Sequence, residues 1–204
     1  MCLAGVIGAG AGYRTVMSVG TDKDLITTLK RVASVLKGAE IPFALAGGFA
    51  AYARGGTSSD HDVDFLLRER DVDQALDALA EVGFRTVRPP EDWLVKVYDD
   101  ELMVDLIFRP VDDPVTDETL ADSTPISVEA ILMPVISATV LMEHKLLTFG
   151  QHYCDFAKAL PLARSLREQI DWGRVRKATE HSPYAQSFLV LLEKLDVISE
   201  GDIS

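Results

Sequence analysis

The sequence has few of the features that mark secreted, membrane or zinc-binding proteins. Its 204 residues include two cysteines, Cys2 and Cys154, so it offers neither a disulfide framework nor a zinc spacing. No apolar run reaches the roughly 18 residues of a membrane span. No positively charged region precedes the apolar N-terminal residues, as it would in a secretory signal. We therefore expect a cytoplasmic globular protein with no membrane partner.

Positive charge is also scarce. The chain has 20 Lys and Arg against 32 Asp and Glu, for a net charge of −12, which argues against indiscriminate binding to nucleic acid or anionic membranes. The charge is uneven, because residues 60–122 contain 19 acidic and 6 basic residues, whereas residues 145–177 contain 7 basic and 3 acidic ones. Either these are ordinary solvated helix surfaces, or a basic helical half closes over an anionic substrate held by the acidic half.

Hydrophobic periodicity predicts an α+β (mixed α/β) fold. We expect a flexible leader at 1–20, a mixed sheet flanked by helices at 21–136, and a helical C-terminal portion at 137–204. Residues 110–125 are predicted to be a polar loop, and 131–136 an edge segment because Pro134 cannot donate to a ladder. Pro161 should kink or divide its helix, and Trp93 and Trp172 are predicted core residues. The predicted helices are 21–38, 72–82, 137–149, 153–170, 172–180 and 184–195, and the strands 43–46, 62–67 and 84–87, with a hairpin of 93–97 and 101–108 across 98–100.

A glycine pair follows the first predicted strand. Gly47 and Gly48 stand between the strand and a helix that runs through Ala53. Without side chains they would let a phosphate approach the backbone. A Gly-Gly turn is, however, more often only a tight turn.

Carboxylates then recur on two predicted strands. Asp62 and Asp64 point to the same face of one strand, where like charges repel unless a cation lies between them. Asp105 shares a face with Met103 and Ile107 in "ELMVDLIF", a costly position unless the carboxylate is paired or metal-bound. Three carboxylates on neighbouring strands form a hard-oxygen site suited to Mg²⁺. In a two-metal arrangement Asp62 and Asp64 would share the ions, and Asp105 would hold the ion that activates the attacking hydroxyl.

Two serines precede the first of these carboxylates. Ser58 and Ser59 are candidates to bond a phosphate or a metal-bound water. Alternatively, they make the turn into the strand.

The pattern of Gly47-Gly48, Asp62-Val63-Asp64 and Asp105 resembles the DNA-polymerase-β-like nucleotidyltransferase superfamily. Within it, "LMEHKLLTF" and "HYCDFAKAL" are similar to segments of the AbiEii/MenT-type nucleotidyltransferase toxins. That resemblance implies that Lys145 neutralises triphosphate charge and that Asp155 orients Lys145 or the base. An exposed helix lysine is the alternative for Lys145.

The toxin resemblance implies a complete reaction and its partners. A nucleoside monophosphate would pass from an NTP, with a pyrimidine base, to the 3′ end of tRNA, with one or two Mg²⁺ ions as cofactor. Translation would stop, and a cognate antitoxin would be the protein partner. Two alternatives remain: an aminoglycoside-type antibiotic nucleotidyltransferase, which the same glycine and aspartate pattern also resembles, and a non-catalytic nucleotide-binding module.

Overall fold

The computed structural model describes residues 19–56 and 62–203, and the predicted leader therefore lies outside the described residues up to residue 18. Its helices pack around one mixed sheet, which confirms the predicted fold class. The strands are β1 (Phe43–Ala46), β2 (Val63–Leu67), β3 (Arg85–Val87), β4 (Leu94–Asp99), β5 (Leu102–Ile107), β6 (Ser123–Val128) and β7 (Ile131–Ile136). The helices are α1 (Val19–Gly38), α2 (Gly47–Ala53), α3 (Val72–Glu81), α4 (Asp117–Ala121), α5 (Ala138–Leu147), α6 (Phe156–Leu166), α7 (Trp172–Ala178) and α8 (Pro183–Lys194).

The strand order is β3-β4-β5-β2-β1-β7-β6. β1 and β2 are antiparallel neighbours, and β2 runs parallel to β5. The central strands are apolar along most of their length, as expected for strands that are covered on both faces. Phe65 and Leu106 are fully buried on β2 and β5, so a charged residue on either strand is an exception that needs a partner.

The segment from residue 110 to 125 is not the loop that the sequence predicts. It contains α4 and the start of β6, and β6, not β7, forms the edge of the sheet. Pro125 and Pro134 are directly opposite each other in the β6–β7 register. The two backbone N–H groups that proline lacks are therefore missing from a single residue pair of the ladder. β6 is an exposed edge strand with several polar side chains. The apolar pattern that predicts a strand is therefore weak in this segment.

Two other local predictions need correction. β4 extends to Asp99, and the turn to β5 is Asp100-Glu101, which shifts the register of the hairpin by three residues from the predicted turn at 98–100. Asp100 has a positive φ of 53°, as tight hairpin turns require. α6 contains Pro161 and is one continuous helix, so Pro161 does not divide it.

Aromatic packing and an arginine hold the C-terminal helices against the sheet. Phe149, Phe156 and Phe188 form a cluster with ring centroids 5.1 to 6.1 Å apart. Trp172 is buried in the core as predicted, at 3% exposure. Arg174 of α7 pairs with Asp122 and with the buried Glu143 of α5. This arginine connects the loop before β6 to the helices that face the sheet.

Among the described residues, no helix is long and apolar enough to cross a membrane.

We predict that Arg174→Met lowers the free energy of unfolding by roughly 1–3 kcal/mol, since it leaves the Glu143 carboxylate buried without its cation. Burial already raises the pKa of Glu143, and Arg174 opposes that shift. The loss should therefore be larger at pH 8, where the carboxyl is charged, than at pH 4. Urea unfolding at both pH values measures it. Arg164→Met, at an exposed arginine of α6, is the control, expected within about 0.5 kcal/mol of wild type.

Candidate active site

The register of three strands brings the predicted carboxylates onto one part of the sheet. Asp64 of β2 is opposite Asp105 of β5, and Asp105 is opposite Lys96 of β4. Residues directly opposite each other place their side chains on the same face. Asp64, Asp105 and Lys96 therefore form a charged row across three neighbouring strands, in a sheet that is otherwise mostly apolar.

Gly47 fits against this row because it has no side chain. It follows Ala46, the partner of Asp64 in the β1–β2 register. Its φ is +57°, and a Cβ atom there would lie 1.8 Å from Oδ2 of Asp64. Both the backbone conformation and the contact with the carboxylate thus require glycine.

A cleft of ≈ 890 Å³ opens above the glycine pair and the first two aspartates. Its sheet side includes Gly47, Gly48, Asp62 and Asp64, and its helix side includes Lys145. Five of the predicted site residues therefore share one cavity. Ser58 and Ser59 lie outside the described residues.

Beyond the aspartates the lining of the cleft is largely apolar, with Trp93, Arg109 and Asp112 among its residues. Leu66 and Ile107 continue its floor along β2 and β5. Trp93 is 39% exposed, so the prediction of a core tryptophan is wrong for this residue. It precedes β4 at the sheet's margin, where the apolar strand pattern has not yet begun. The cleft is therefore charged at one end and able to receive a planar apolar group at the other.

The charged end carries uncompensated negative charge. Burial raises the pKa of Asp64 to about 7, with smaller contributions from the charges of Asp62 and Asp105, which the charge of Lys96 opposes. A divalent cation at Asp62 and Asp64 would offset both the cost of burying the charged carboxylate and its repulsion by the neighbouring carboxylates. The donor chemistry of these two carboxylates therefore fits Mg²⁺, which accepts one or two carboxylates together with substrate phosphates.

Asp105 does not join Asp62 and Asp64 as a ready third ligand. Nζ of Lys96 lies 2.8 Å from Oδ1 of Asp105. Within the described part of the chain, no group of three or more His, Cys, Asp or Glu side chains is arranged to hold a metal ion. Sequence reasoning missed Lys96, because the predicted hairpin turn placed it opposite residue 102.

Lys145 and Asp155 lie in different settings. Nζ of Lys145 is 5.9 Å from the ring centroid of Tyr153. Asp155 caps α6 by accepting from the backbone N–H of Lys158, whose Nζ is 3.6 Å from the same carboxylate. Across residues 19–56 and 62–203, Lys145 makes no ion pair. The described partner of Asp155 is thus Lys158, which also lines the cleft.

Acidic neighbours pair with three of the four arginines in the segment at 145–177. Arg167 pairs with Glu168, Arg174 with Glu143 and Asp122, and Arg176 with Glu193. The two basic residues of this segment that line the cleft are Lys145 and Lys158. The positive charge that this segment offers to a ligand in the cleft therefore comes from these two lysines.

We predict that Gly47→Ala destabilises the fold by about 2 kcal/mol more than Gly55→Ala. Both glycines have a positive φ, +57° and +92°, but a Cβ at Gly55 would meet nothing within 4 Å. Gly55→Ala therefore reports the backbone strain alone, about 1 kcal/mol. Urea unfolding of the two variants makes the comparison, and equal losses would show that Asp64 does not pack on Gly47.

We predict that Asp64→Asn stabilises the protein at pH 8 in the absence of divalent cations. The pKa of this carboxyl rises from 3.8 to about 7 on folding, so wild type loses stability as pH increases across that interval, by up to about 1.4 kcal/mol per pH unit. The variant does not titrate there, and its advantage should vanish below pH 4. Asp77→Asn, on the exposed side of α3, is the control, and an Asp64→Asn curve that runs parallel to wild type would contradict the prediction.

Comparison with solved structures shows the fold. The antibiotic-resistance factor ANT(2″)-Ia is similar over 86% of this chain and 94% of its own, with 12% identity and a TM-score of 0.52. An antigenic nucleotidyltransferase-like protein from Paracoccidioides brasiliensis is similar over 86% and 89%, with 17% identity and a TM-score of 0.52. No curated protein matches the sequence.

The comparison with protein families is more specific. The model of a family described as "Uncharacterised nucleotidyltransferase" matches residues 13–193. That range includes the whole sheet, the glycine pair, all three aspartates and the helices that close the cleft. The chain therefore belongs to this nucleotidyltransferase family.

Proposed function

We propose that the protein transfers a nucleoside monophosphate from a Mg²⁺-bound NTP to a hydroxyl group of an acceptor bound in the cleft. The observation that carries the proposal is the convergence of Asp62, Asp64, Gly47, Gly48 and Lys145 on a single cavity. A cavity of ≈ 890 Å³ falls within the usual range for small-molecule sites. The carboxylates supply a place for the cation, and the lysine supplies charge for the phosphates.

Each side chain has a distinct part in the proposed reaction. Asp62 and Asp64 would hold the Mg²⁺ ion, which would supply positive charge against the triphosphate and favour displacement at the α-phosphorus. Gly47 and Gly48 let the phosphates approach the backbone, and Lys145 neutralises them from α5. The acceptor oxygen forms a bond to the α-phosphorus while the bond from that phosphorus to the bridging oxygen breaks. Pyrophosphate leaves, and the hydroxyl proton is released to solvent.

For the acceptor we propose the 3′ end of tRNA, with a pyrimidine NTP as donor. Single-stranded nucleic acid binds to grooves that combine aromatic side chains with positive charge. Trp93 lines the cleft beside Arg109, whose guanidinium also pairs with Glu69 and Asp92. Lys145 adds positive charge from α5, and Lys158, which pairs with Asp155, lies on α6. Blocking the tRNA end would stop translation, and a toxin of this kind requires a cognate antitoxin.

A cationic small molecule of the aminoglycoside type is the second candidate acceptor. The arginines of the C-terminal helices are largely ion-paired, and the net charge is −12. Both features support a small cation over a large polyanion. A non-catalytic module would bind Mg²⁺-NTP and transfer nothing.

Incubation with Mg²⁺, each α-labelled NTP in turn and total tRNA tests the proposal. We expect label on tRNA with one pyrimidine NTP, none after chelation of Mg²⁺, and a loss of at least about 100-fold in Asp62→Ala. Asp77→Ala, an exposed aspartate of α3, should retain wild-type transfer.

The same incubation with an aminoglycoside in place of tRNA separates the candidates. Label on the drug alone would replace tRNA by the small acceptor. Binding of Mg²⁺-NTP without transfer to either acceptor would identify the non-catalytic module. Absence of NTP binding would contradict nucleotidyl transfer altogether.

A further inference from the structure

Lys96 has a partner that the proposed reaction would otherwise assign to a metal ion. It stands directly opposite Asp105 in the β4–β5 ladder. Its Nζ donates to Oδ1 of Asp105 at 2.8 Å and lies 3.4 Å from Sδ of Met103. The contact is thus built into neighbouring strands of the sheet, where side-chain positions are restricted by the ladder.

The pair is shielded from solvent. The side chains of Lys96 and Asp105 are 21% and 11% exposed, against 44% for Arg31 in its pair with Asp99. Breaking a shielded ion pair leaves an uncompensated charge in a medium of low polarity. A divalent ion that used Asp105 as a ligand would have to displace Lys96 or accept a second positive charge beside itself.

The lining of the cleft also distinguishes Asp105 from the other two carboxylates. Asp62 and Asp64 are among the described residues that line it, and Asp105 is not. An ion that enters with the triphosphate therefore meets Asp62 and Asp64 first. Asp105 lies opposite Asp64 on the neighbouring strand, outside the lining of the cleft, and its charge already has a cation.

We propose that Lys96 supplies the resident cation at Asp105, so that the cleft takes one divalent ion, through Asp62 and Asp64, instead of two. This inference rests on the proposed nucleotidyl transfer. Lys96 is a positioning residue: it holds the Asp105 carboxylate and provides fixed positive charge beside Asp64. The arrangement predicts how many ions bind, a quantity that does not depend on the identity of the acceptor.

The test is to count bound Mn²⁺ by electron paramagnetic resonance, in the presence of one equivalent of an α,β-methylene NTP that cannot be transferred. We expect one ion per chain in wild type and one in Asp105→Asn, since Asp105 is not a ligand. Lys96→Met keeps an apolar stem of similar length and frees Asp105, so it should bind two ions. Lys37→Met, at an exposed lysine of α1 outside the cleft, is the control and should still bind one.

Each outcome decides the matter. Two ions in wild type and one in Asp105→Asn would overturn the inference and leave the proposed function intact. One ion in Lys96→Met would also overturn it, because Lys96 would then not occupy the place of the second ion. Should Lys96→Met fail to fold, wild type against Asp105→Asn still decides between the two arrangements. If wild type binds neither Mn²⁺ nor the analogue, the proposed function fails and the inference with it.

Discussion

The structure depends on how it accommodates like charges inside a sheet. Asp64 and Asp105 are directly opposite each other on parallel strands whose other residues are apolar. Gly47 gives Asp64 the space of a missing side chain, and Lys96 gives Asp105 a counter-charge. Burial of Asp64, together with the repulsion from Asp62 and Asp105 that Lys96 does not cancel, raises the pKa of Asp64 to about 7. A fold selected for stability alone would place an apolar residue there, so this buried carboxylate is best explained by a ligand that carries positive charge.

The surrounding architecture keeps that charge accessible from one side. The glycine pair and the start of β2 form the sheet side of the cleft, and α5 and α6 close over it with Lys145 and Lys158. The helices stay in place through the phenylalanine cluster and through Arg174, which is engaged by Glu143 and Asp122. Part of the basic charge of the C-terminal portion therefore stabilises the helices, and Lys145 and Lys158 are the residues of that portion that bring positive charge to the cleft.

The central fold was predictable because its signals are local and strong. The bounds of β1 follow from a short apolar run that ends at a glycine pair. Asp64 of β2 and Asp62, directly before that strand, were recognised from alternation. β6 was missed because an exposed edge strand can be polar, and its turn at Glu129-Ala130 has positive φ without glycine. Trp93 was misassigned because alternation does not say where a strand meets the surface.

Lys96 shows a different limit of sequence reasoning. Its pairing with Asp105 depends on the register of a hairpin, and a turn misplaced at 98–100 puts the lysine opposite the wrong residue. The positions of the carboxylates could thus be predicted from the sequence pattern. The lysine that pairs with Asp105 could be identified only from the strand register.

A crystal structure with Mn²⁺ and a non-transferable NTP analogue tests the central claim most directly. The account predicts an anomalous peak between the carboxylates of Asp62 and Asp64, with the triphosphate beside Gly47 and Gly48 and Nζ of Lys96 still on Asp105. A nucleotide bound outside this cleft, or an Mn²⁺ ion held without Asp62 and Asp64, would contradict it.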